Sequence, residues 1–184
     1  MTEGEAGRAE RKKELHRVVV ARSDINLALQ GCEVLLAHVE SFGSDFYMPL
    51  LNAVAISYAR PFKRSKPVGA LSLEWHKFSD SRLQNVHNML IETRDTYVAH
   101  SDRSVRKVMI VPPGANVPGI GIAPSLSVTV GIVIIPFKRF REVRELCMDL
   151  GRRLNTAVET LLKELYGERS LPTEPFPLEF NEEL

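Results

Sequence analysis

The sequence predicts a mainly α-helical protein, a helical bundle of four main helices with an inserted antiparallel β-hairpin. Over four long segments, apolar residues recur in steps of three and four, which is typical of helices that bury one face. Between the third and fourth segments, two β-branched runs flank a Pro- and Gly-rich loop, which is typical of a hairpin. At 184 residues, the chain is long enough for one domain with a sizeable core.

The first two helices follow from an apolar stripe and the signals that end it. Apolar residues between positions 15 and 39 form one stripe and predict a long first helix. Gly43 follows as a C-terminal stop, and Ser44 or Asp45 is expected to cap the second helix. The second helix is expected to end within YARPF (58–62), because the residue before a proline is pushed out of helical geometry.

The third helix is predicted to begin near Ser79, where the chain leaves a basic, Pro-containing loop. Ser81 and Gln84 have the spacing of a capping box, in which two side chains satisfy the first backbone N–H groups. After this helix the apolar period changes from that of a helix to that of a strand. The two strands of the hairpin are predicted over residues 105–111 and 126–135.

The fourth helix closes the predicted domain. Its stripe runs over residues 140–165, and Gly167 is the stop. We therefore expect one helical domain over residues 1–168, with the hairpin inserted at about 104–136. The Pro-rich, acidic tail 169–184 is expected to be extended or disordered.

Composition excludes several classes of protein. The formal net charge is +1, so contact with nucleic acid must come from a local basic patch. The charged residues 1–17 have no apolar core typical of a signal peptide, and the longest apolar run, 128–137, is about half a membrane span. These features predict a cytoplasmic protein without a membrane partner. Cys32 and Cys147 lack metal-ligand spacing and are expected to be buried thiols.

The segment RDTYVAHSD, Arg94 to Asp102, carries candidate catalytic residues. A histidine can accept the proton of a ribose 2′-hydroxyl or donate one to the leaving 5′-oxygen. An arginine can bind the scissile phosphate bidentately and offset the charge that develops on its oxygens. Because RNA supplies its own nucleophile, Arg94, Asp95 and His100 are candidates for RNA cleavage.

An arginine, a polar residue and then a histidine near the end of a bundle helix resemble the HEPN superfamily (higher eukaryotes and prokaryotes nucleotide-binding). Arg94 and Asp95 match its Arg-polar pair, and His100 matches the histidine of its R-x(4–6)-H pattern. With YARPF upstream, the segment is most similar to the abortive-infection branch. The resemblance implies a bundle that forms a homodimer, brings two motifs face to face and acts as a metal-independent endoribonuclease. Many relatives are toxins or abortive-infection effectors.

Arg–His pairs that fit the R-x(4–6)-H pattern occur at three places: Arg11 with His16, Arg82 with His87, and Arg94 with His100. Only the third has a polar residue after the arginine and the AHSD helix end. In an uninterrupted helix of about 100° per residue, His100 would lie roughly 120° around from Arg94. Either the helix unwinds after Ala99 or a second protomer completes the site. His87, expected on the face of Arg94, is an auxiliary candidate, as is Asp102.

The expected partners follow from the residues around the motif. Arg103, Arg106 and Lys107 directly follow it and are candidate RNA-binding residues. Met89 and Val98 are apolar side chains outside the main stripe and are expected to cover a homodimer contact. No cluster in the sequence has metal-ligand spacing, so neither a metal nor another cofactor is expected.

Two other interpretations remain open at this point. The chain could be a non-catalytic HEPN-like module used for dimerisation or for binding a nucleotide or a partner. It could also be an unrelated bundle in which Arg94 only ties Asp95 or Asp102 to a helix end. For a ribonuclease toxin, an antitoxin or regulatory protein would be a further partner.

Overall fold

The computed structural model describes residues 3–64, 69–98, 108–117, 121–130, 135–167 and 170–178. Within these ranges the chain forms the α-helices α1 (Glu3–His38), α2 (Tyr47–Ala59), α3 (Ser81–Thr93) and α4 (Phe137–Tyr166). Strand β1 (Val108–Val111) pairs with β4 (Ser127–Val130), and β2 (Asn116–Val117) pairs with β3 (Gly121–Ile122), both antiparallel. The predicted fold class, mainly α with an inserted hairpin, is confirmed.

The core lies where α1 packs along α4 and against α2. Helix α1 begins at Glu3, well before the predicted stripe. Within the stripe, Ala28 and Leu35 are fully buried, whereas their neighbours Leu29 and Leu36 are only partly buried. The buried positions therefore repeat with a heptad spacing, as in a helix that keeps one seam against its neighbours.

Both cysteines lie in this core, as the sequence predicted. The Cys32 thiol donates to the Phe140 carbonyl, with 3.1 Å between Sγ and O, and so links α1 to α4. Burial raises the pKa of Cys32 to about 12 and raises the pKa of Cys147 as well. Because the thiolate is the reactive form, both side chains act as small core residues and are chemically unreactive at neutral pH.

Tyr47, the first residue of α2, joins that helix to the start of α4. Its buried hydroxyl donates to the Ile135 carbonyl at 3.0 Å and accepts from the Ile135 N–H at 2.9 Å. The N-cap of α2 is Phe46, without a side-chain capping bond, so neither Ser44 nor Asp45 is the predicted cap, although Ser44 accepts from the Phe46 N–H at 3.3 Å. The Tyr47 hydroxyl thus satisfies both backbone groups of Ile135, a residue that is 2% exposed.

The start of α3 differs from the predicted capping box. Asp80 is the N-cap, and its carboxylate accepts from the Arg82 N–H at 2.8 Å. Gln84 reaches back to the Phe78 N–H at 3.1 Å, and Ser81 is already within the helix. The prediction was one position late because Asp80 accepts from the second helical N–H, as an aspartate N-cap does.

The hairpin forms a two-stranded ribbon, defined here as β1 and β4. Val108 faces Val130 and Val111 faces Ser127, which fixes the register of the ribbon. The loop beyond it contains the second ladder, where the Gly114 N–H donates to the Ala123 carbonyl at 2.8 Å. Gly114 has a φ of +81°, a conformation that only glycine adopts easily. Of the remaining predicted strand residues, Leu126 and Ile135 lie outside the strands, and 105–107 and 131–134 lie outside the described part of the chain.

Candidate functional site

An open groove of about 440 Å³ lies along α3 beside the 3₁₀ turn Leu73–His76. The residues that line it are His76, His87, Asn88, Ile91, Glu92, Asp95 and Thr96. All except His76 belong to α3 or to the turn that continues it, and they recur in pairs four residues apart. Such spacing places them on one helical face.

His87 is the buried histidine of the groove, with only 2% of its surface exposed. Its Nδ1 lies 2.8 Å from the hydroxyl of Tyr58, which is also buried. Burial raises the pKa of Tyr58 well above its ordinary value, so the hydroxyl keeps its proton. We assign this hydroxyl as the donor to Nδ1, which leaves the imidazole proton on Nε2. Burial, reinforced by the positive charge of a protonated His76, lowers the pKa of His87 to about 4.

His76 lies across the groove, on the 3₁₀ turn before α3. Its ring meets the His87 ring edge to face, with 5.3 Å between centroids, and also contacts Phe62 at 4.8 Å. Burial lowers the pKa of His76, and the nearby Lys63 charge lowers it further. Both imidazoles are therefore neutral at pH 7, and the half-buried His76, unlike the buried and hydrogen-bonded His87, is the one placed to accept a proton there.

The turn that carries His76 is fixed to α4 by Arg153. Its guanidinium donates to the Lys77 carbonyl at 3.2 Å and to the Glu74 carbonyl at 3.3 Å. It also lies 5.2 Å from the ring centroids of Trp75 and Phe78. These contacts hold the residues on either side of His76, so the side chain sits on a supported turn.

Asp95 joins two cations at the end of the groove. Its carboxylate accepts from the Lys63 ammonium at 2.5 Å and from the Arg94 guanidinium at 2.9 Å. Burial raises the pKa of Asp95, but the hydrogen bonds from Lys63 and Arg94 outweigh it and leave the pKa below its ordinary value. The carboxylate is therefore ionised at neutral pH, and it holds both cations beside the groove.

The winding of the helix changes at the motif. Residues Arg94–Val98 form a π-helical turn directly after α3. Such turns are rare and occur often at functional sites, because the extra residue shifts the phase of the side chains that follow. The sequence left two alternatives, unwinding after Ala99 or a second protomer that completes the site, and residues 99–107 lie outside the described part of the chain. His100 lies outside the described residues.

The structure brings together part of the predicted site. His87 and Asp95 line the groove, and Arg94 adjoins it through its ion pair with Asp95. The other predicted residues lie outside the described part of the chain: His100, Asp102, Arg103, Arg106 and Lys107. Of the two residues expected at a dimer contact, Met89 instead packs against the core, and the Val98 side chain is not described.

Sequence reasoning missed several residues of the groove. They are His76, Asn88, Ile91, Glu92 and Thr96, together with Tyr58, which holds the groove residue His87 from behind. The i, i+4, i+8 spacing of His87, Ile91 and Asp95 in the sequence could have predicted that these residues share one face of α3. No local pattern links His76 or Tyr58 to that face, because each reaches it from another part of the chain.

The groove offers groups for proton transfer next to groups for anion binding. The carboxylates of Glu92 and Asp95 are matched by the cations of Lys63 and Arg94, so these four charges sum to zero. Within the described ranges, no three His, Cys, Asp or Glu side chains are grouped so that they could hold a metal ion. The arrangement suits acid–base chemistry on a substrate that carries an anionic group.

The fold and the groove define a helical-bundle protein with a pair of histidines beside an ion-paired arginine. Comparisons with protein-family models, with curated proteins and with solved structures found no match to this chain. In the described part of the chain, none of the helices is long and apolar enough to cross a membrane.

Removing the His87 imidazole should reduce the acid sensitivity of folding. Because the folded pKa is about 4 and the unfolded value is 6.5, the unfolded chain binds a proton first as the pH falls. At 1.36 kcal/mol per pKa unit, His87 should cost the wild type about 3 kcal/mol of stability between pH 7 and pH 4. Urea unfolding across this range should show a shallower pH dependence for His87→Gln. His38→Gln, which changes an exposed histidine, is the control and should show the same pH dependence of stability as the wild type. If His87→Gln also shows the wild-type pH dependence, the pKa of His87 is not lowered by folding.

Proposed function

We propose that this chain is a HEPN-like, metal-independent endoribonuclease that binds RNA in the groove along α3. The observation that carries the proposal is the pair of neutral imidazoles, His76 and His87, beside the Arg94–Asp95–Lys63 ion pairs. The π-helical turn at the RDTYV segment supports it, because the motif that suggested RNA cleavage begins where the winding changes.

The proposed reaction is transesterification within the RNA backbone. His76 accepts the proton of the ribose 2′-hydroxyl, and the 2′-oxygen forms a new bond to phosphorus. The bond from phosphorus to the 5′-oxygen breaks, and His100 donates a proton to that oxygen. The products are a fragment with a 2′,3′-cyclic phosphate and a fragment with a 5′-hydroxyl. His76 suits the role of base because its lowered pKa keeps it unprotonated at neutral pH.

Arg94 and Lys63 are proposed to bind the scissile phosphate. A guanidinium has five N–H donors, and the ion pair with Asp95 uses Nη1 of Arg94. Asp95 then orients both cations while their other N–H groups bind phosphate oxygens. His87, held by Tyr58, supports the ring of His76 through their edge contact.

The wider setting rests on the resemblance of the motif. We propose a cytoplasmic toxin or abortive-infection effector that acts as a homodimer and is controlled by an antitoxin or regulatory protein. Arg103, Arg106 and Lys107 follow the motif in sequence and would add phosphate contacts along the RNA.

The test is RNA cleavage by purified protein in the presence of EDTA. Arg94→Ala should slow cleavage roughly 10²- to 10³-fold, the usual loss when a donor to a developing charge is removed. Arg82→Ala is the matched control, because it removes the same charge from an exposed position of α3. Cleaved ends should carry 2′,3′-cyclic phosphate. Activity that EDTA abolishes and a divalent ion restores would contradict the proposed mechanism.

A non-catalytic binding module is the second candidate. The observation that favours it is that Asp95 pairs with both Arg94 and Lys63, which leaves less of their charge to stabilise a transition state. On this alternative, the protein binds RNA or a nucleotide without cutting it. Filter binding with a labelled RNA, combined with the cleavage assay, separates the two candidates. For a binding module, Arg94→Ala should weaken RNA binding, and neither the wild type nor the variant should cleave the RNA.

A further inference from the structure

The α3 side of the groove carries two rows of side chains, and the proposed reaction uses only the first of them. The inner row consists of His87, Ile91 and Asp95. The outer row consists of Asn88, Glu92 and Thr96, which also recur four residues apart and therefore share a face of the helix. Asn88 and Glu92 are exposed, so a molecule that enters the groove can reach their polar groups.

The amide of Asn88 is oriented by a relay of hydrogen bonds that starts at the backbone. The Phe78 N–H can only donate, so the Gln84 atom that accepts from it, at 3.1 Å, is the carbonyl oxygen Oε1. The NH2 group of Gln84 then donates to Oδ1 of Asn88, with 3.2 Å between the two atoms. Because its oxygen is occupied in this way, Asn88 offers its NH2 group, a hydrogen-bond donor, to a molecule in the groove.

Glu92 differs from the other carboxylate of the groove. Asp95 pairs with both cations, Lys63 and Arg94, whereas within the described ranges Glu92 makes neither an ion pair nor a side-chain hydrogen bond. A carboxylate without a cation repels the phosphates of RNA unless it accepts hydrogen bonds from the same molecule. Glu92 thus supplies an acceptor for a substrate, one helical turn from the donor of Asn88.

We propose that Asn88 and Glu92 select a guanine base beside the scissile phosphate, an inference that rests on the proposed RNA substrate. On its pairing edge, guanine carries the O6 acceptor, the N1–H donor and the N2 amino donor side by side. The Glu92 carboxylate can accept from N1–H and the amino group together, while the Asn88 NH2 group donates to O6. Each of the other three bases offers the carboxylate one donor group on that edge, so guanine makes one hydrogen bond more.

The position of the outer row suits a base next to the reacting phosphate. Glu92 precedes Asp95 by roughly one helical turn, and Asp95 orients the two cations that are proposed to bind the phosphate. Sequence-specific recognition of RNA mostly targets single-stranded bases through their pairing edges, which an open groove can admit. We therefore expect the enzyme to prefer guanine in single-stranded RNA.

The first test measures where the RNA is cut. A single-stranded RNA that contains all four bases is cleaved in EDTA, and the cleaved ends are sequenced. Wild type should cut next to guanine about 10- to 100-fold faster than next to other bases, the effect of one hydrogen bond to a charged group. Glu92→Gln should lose this preference, because an amide cannot accept from both guanine donors. Glu159→Gln, which changes an exposed glutamate of α4, is the control and should keep it.

The second test measures binding without cleavage. In isothermal titration calorimetry, guanosine 3′-monophosphate should bind roughly 10-fold or more tightly than inosine 3′-monophosphate, which lacks only the amino group. Glu92→Gln should bind the two nucleotides with similar affinity. Asn88→Asp, in which an acceptor replaces the donor to O6, should bind the guanosine nucleotide more weakly than wild type does.

The two tests separate this inference from the proposed function. If wild type cleaves RNA without base preference and binds both nucleotides equally, the guanine site is refuted and the ribonuclease activity stands. If the guanosine nucleotide binds more tightly through Glu92 but no RNA is cleaved, the guanine site is supported and the proposed catalysis is refuted. A guanine preference that is unchanged in Glu92→Gln would assign the selection to other residues and overturn the proposal.

Discussion

His76→Ala is expected to slow RNA cleavage by roughly 10²- to 10⁴-fold, the range typical for loss of a general base. The proposed role of His76 is to accept the 2′-hydroxyl proton, and its lowered pKa keeps the imidazole unprotonated at neutral pH. His38→Ala is the control, because that exposed histidine at the end of α1 does not line the groove. Cleavage at the wild-type rate by His76→Ala would remove His76 from the mechanism.

The pH–rate profile gives a second measurement of the same role. Since a base acts only when unprotonated, the rate should fall on the acid side as His76 gains its proton. Its pKa is lowered by burial and then by Lys63, so this fall should lie below the ordinary imidazole value of about 6.5. Lys63→Gln removes the nearby charge and should move the acid limb of kcat/KM to higher pH. If the acid limb stays at the same pH in Lys63→Gln, the limb reports the titration of a group other than His76.

Tyr47→Phe is expected to lower the free energy of unfolding by about 2–6 kcal/mol. The substitution keeps the ring but leaves both the N–H and the carbonyl of Ile135 without their partner, and each unsatisfied buried group costs about 1–3 kcal/mol. Tyr166→Phe is the matched control, because among the described residues its hydroxyl makes no hydrogen bond of this kind.

Urea unfolding at pH 7 measures this difference, with circular dichroism at 222 nm (about the helix minimum) as the signal for α-helix loss. The midpoint should fall for Tyr47→Phe with little change in slope, since the surface exposed on unfolding stays the same. A loss no greater than that of Tyr166→Phe would show that the Tyr47 hydroxyl contributes little to the stability of this junction.

The helices were predictable because each one buries a stripe that is visible in the sequence. The stripe over residues 140–165 corresponds to the buried side of α4, and the hairpin lies where the apolar period changes. Helix ends were harder to predict. Asp80 rather than Ser81 caps α3, and α1 extends back to Glu3 through charged residues that have no apolar stripe. Ends depend on single hydrogen bonds, which periodicity does not report.

The site was only partly predictable, for a different reason. His87 and Asp95 share a helical face, so their proximity follows from spacing alone. Tyr58 and His76 join them through the packing of α2 and of the loop before α3, which no local pattern encodes. The Lys63–Asp95 ion pair is similar, because it joins residues far apart in sequence.

The anchoring of the His76 turn by Arg153 has a practical consequence for spectroscopy. Trp75, the single tryptophan of the chain, lies under that guanidinium and directly precedes the groove histidine. Its emission therefore comes from one place in the molecule, the turn that carries His76 to the groove. The protein carries a built-in fluorophore whose intensity and wavelength report on the turn beside the groove without any added label.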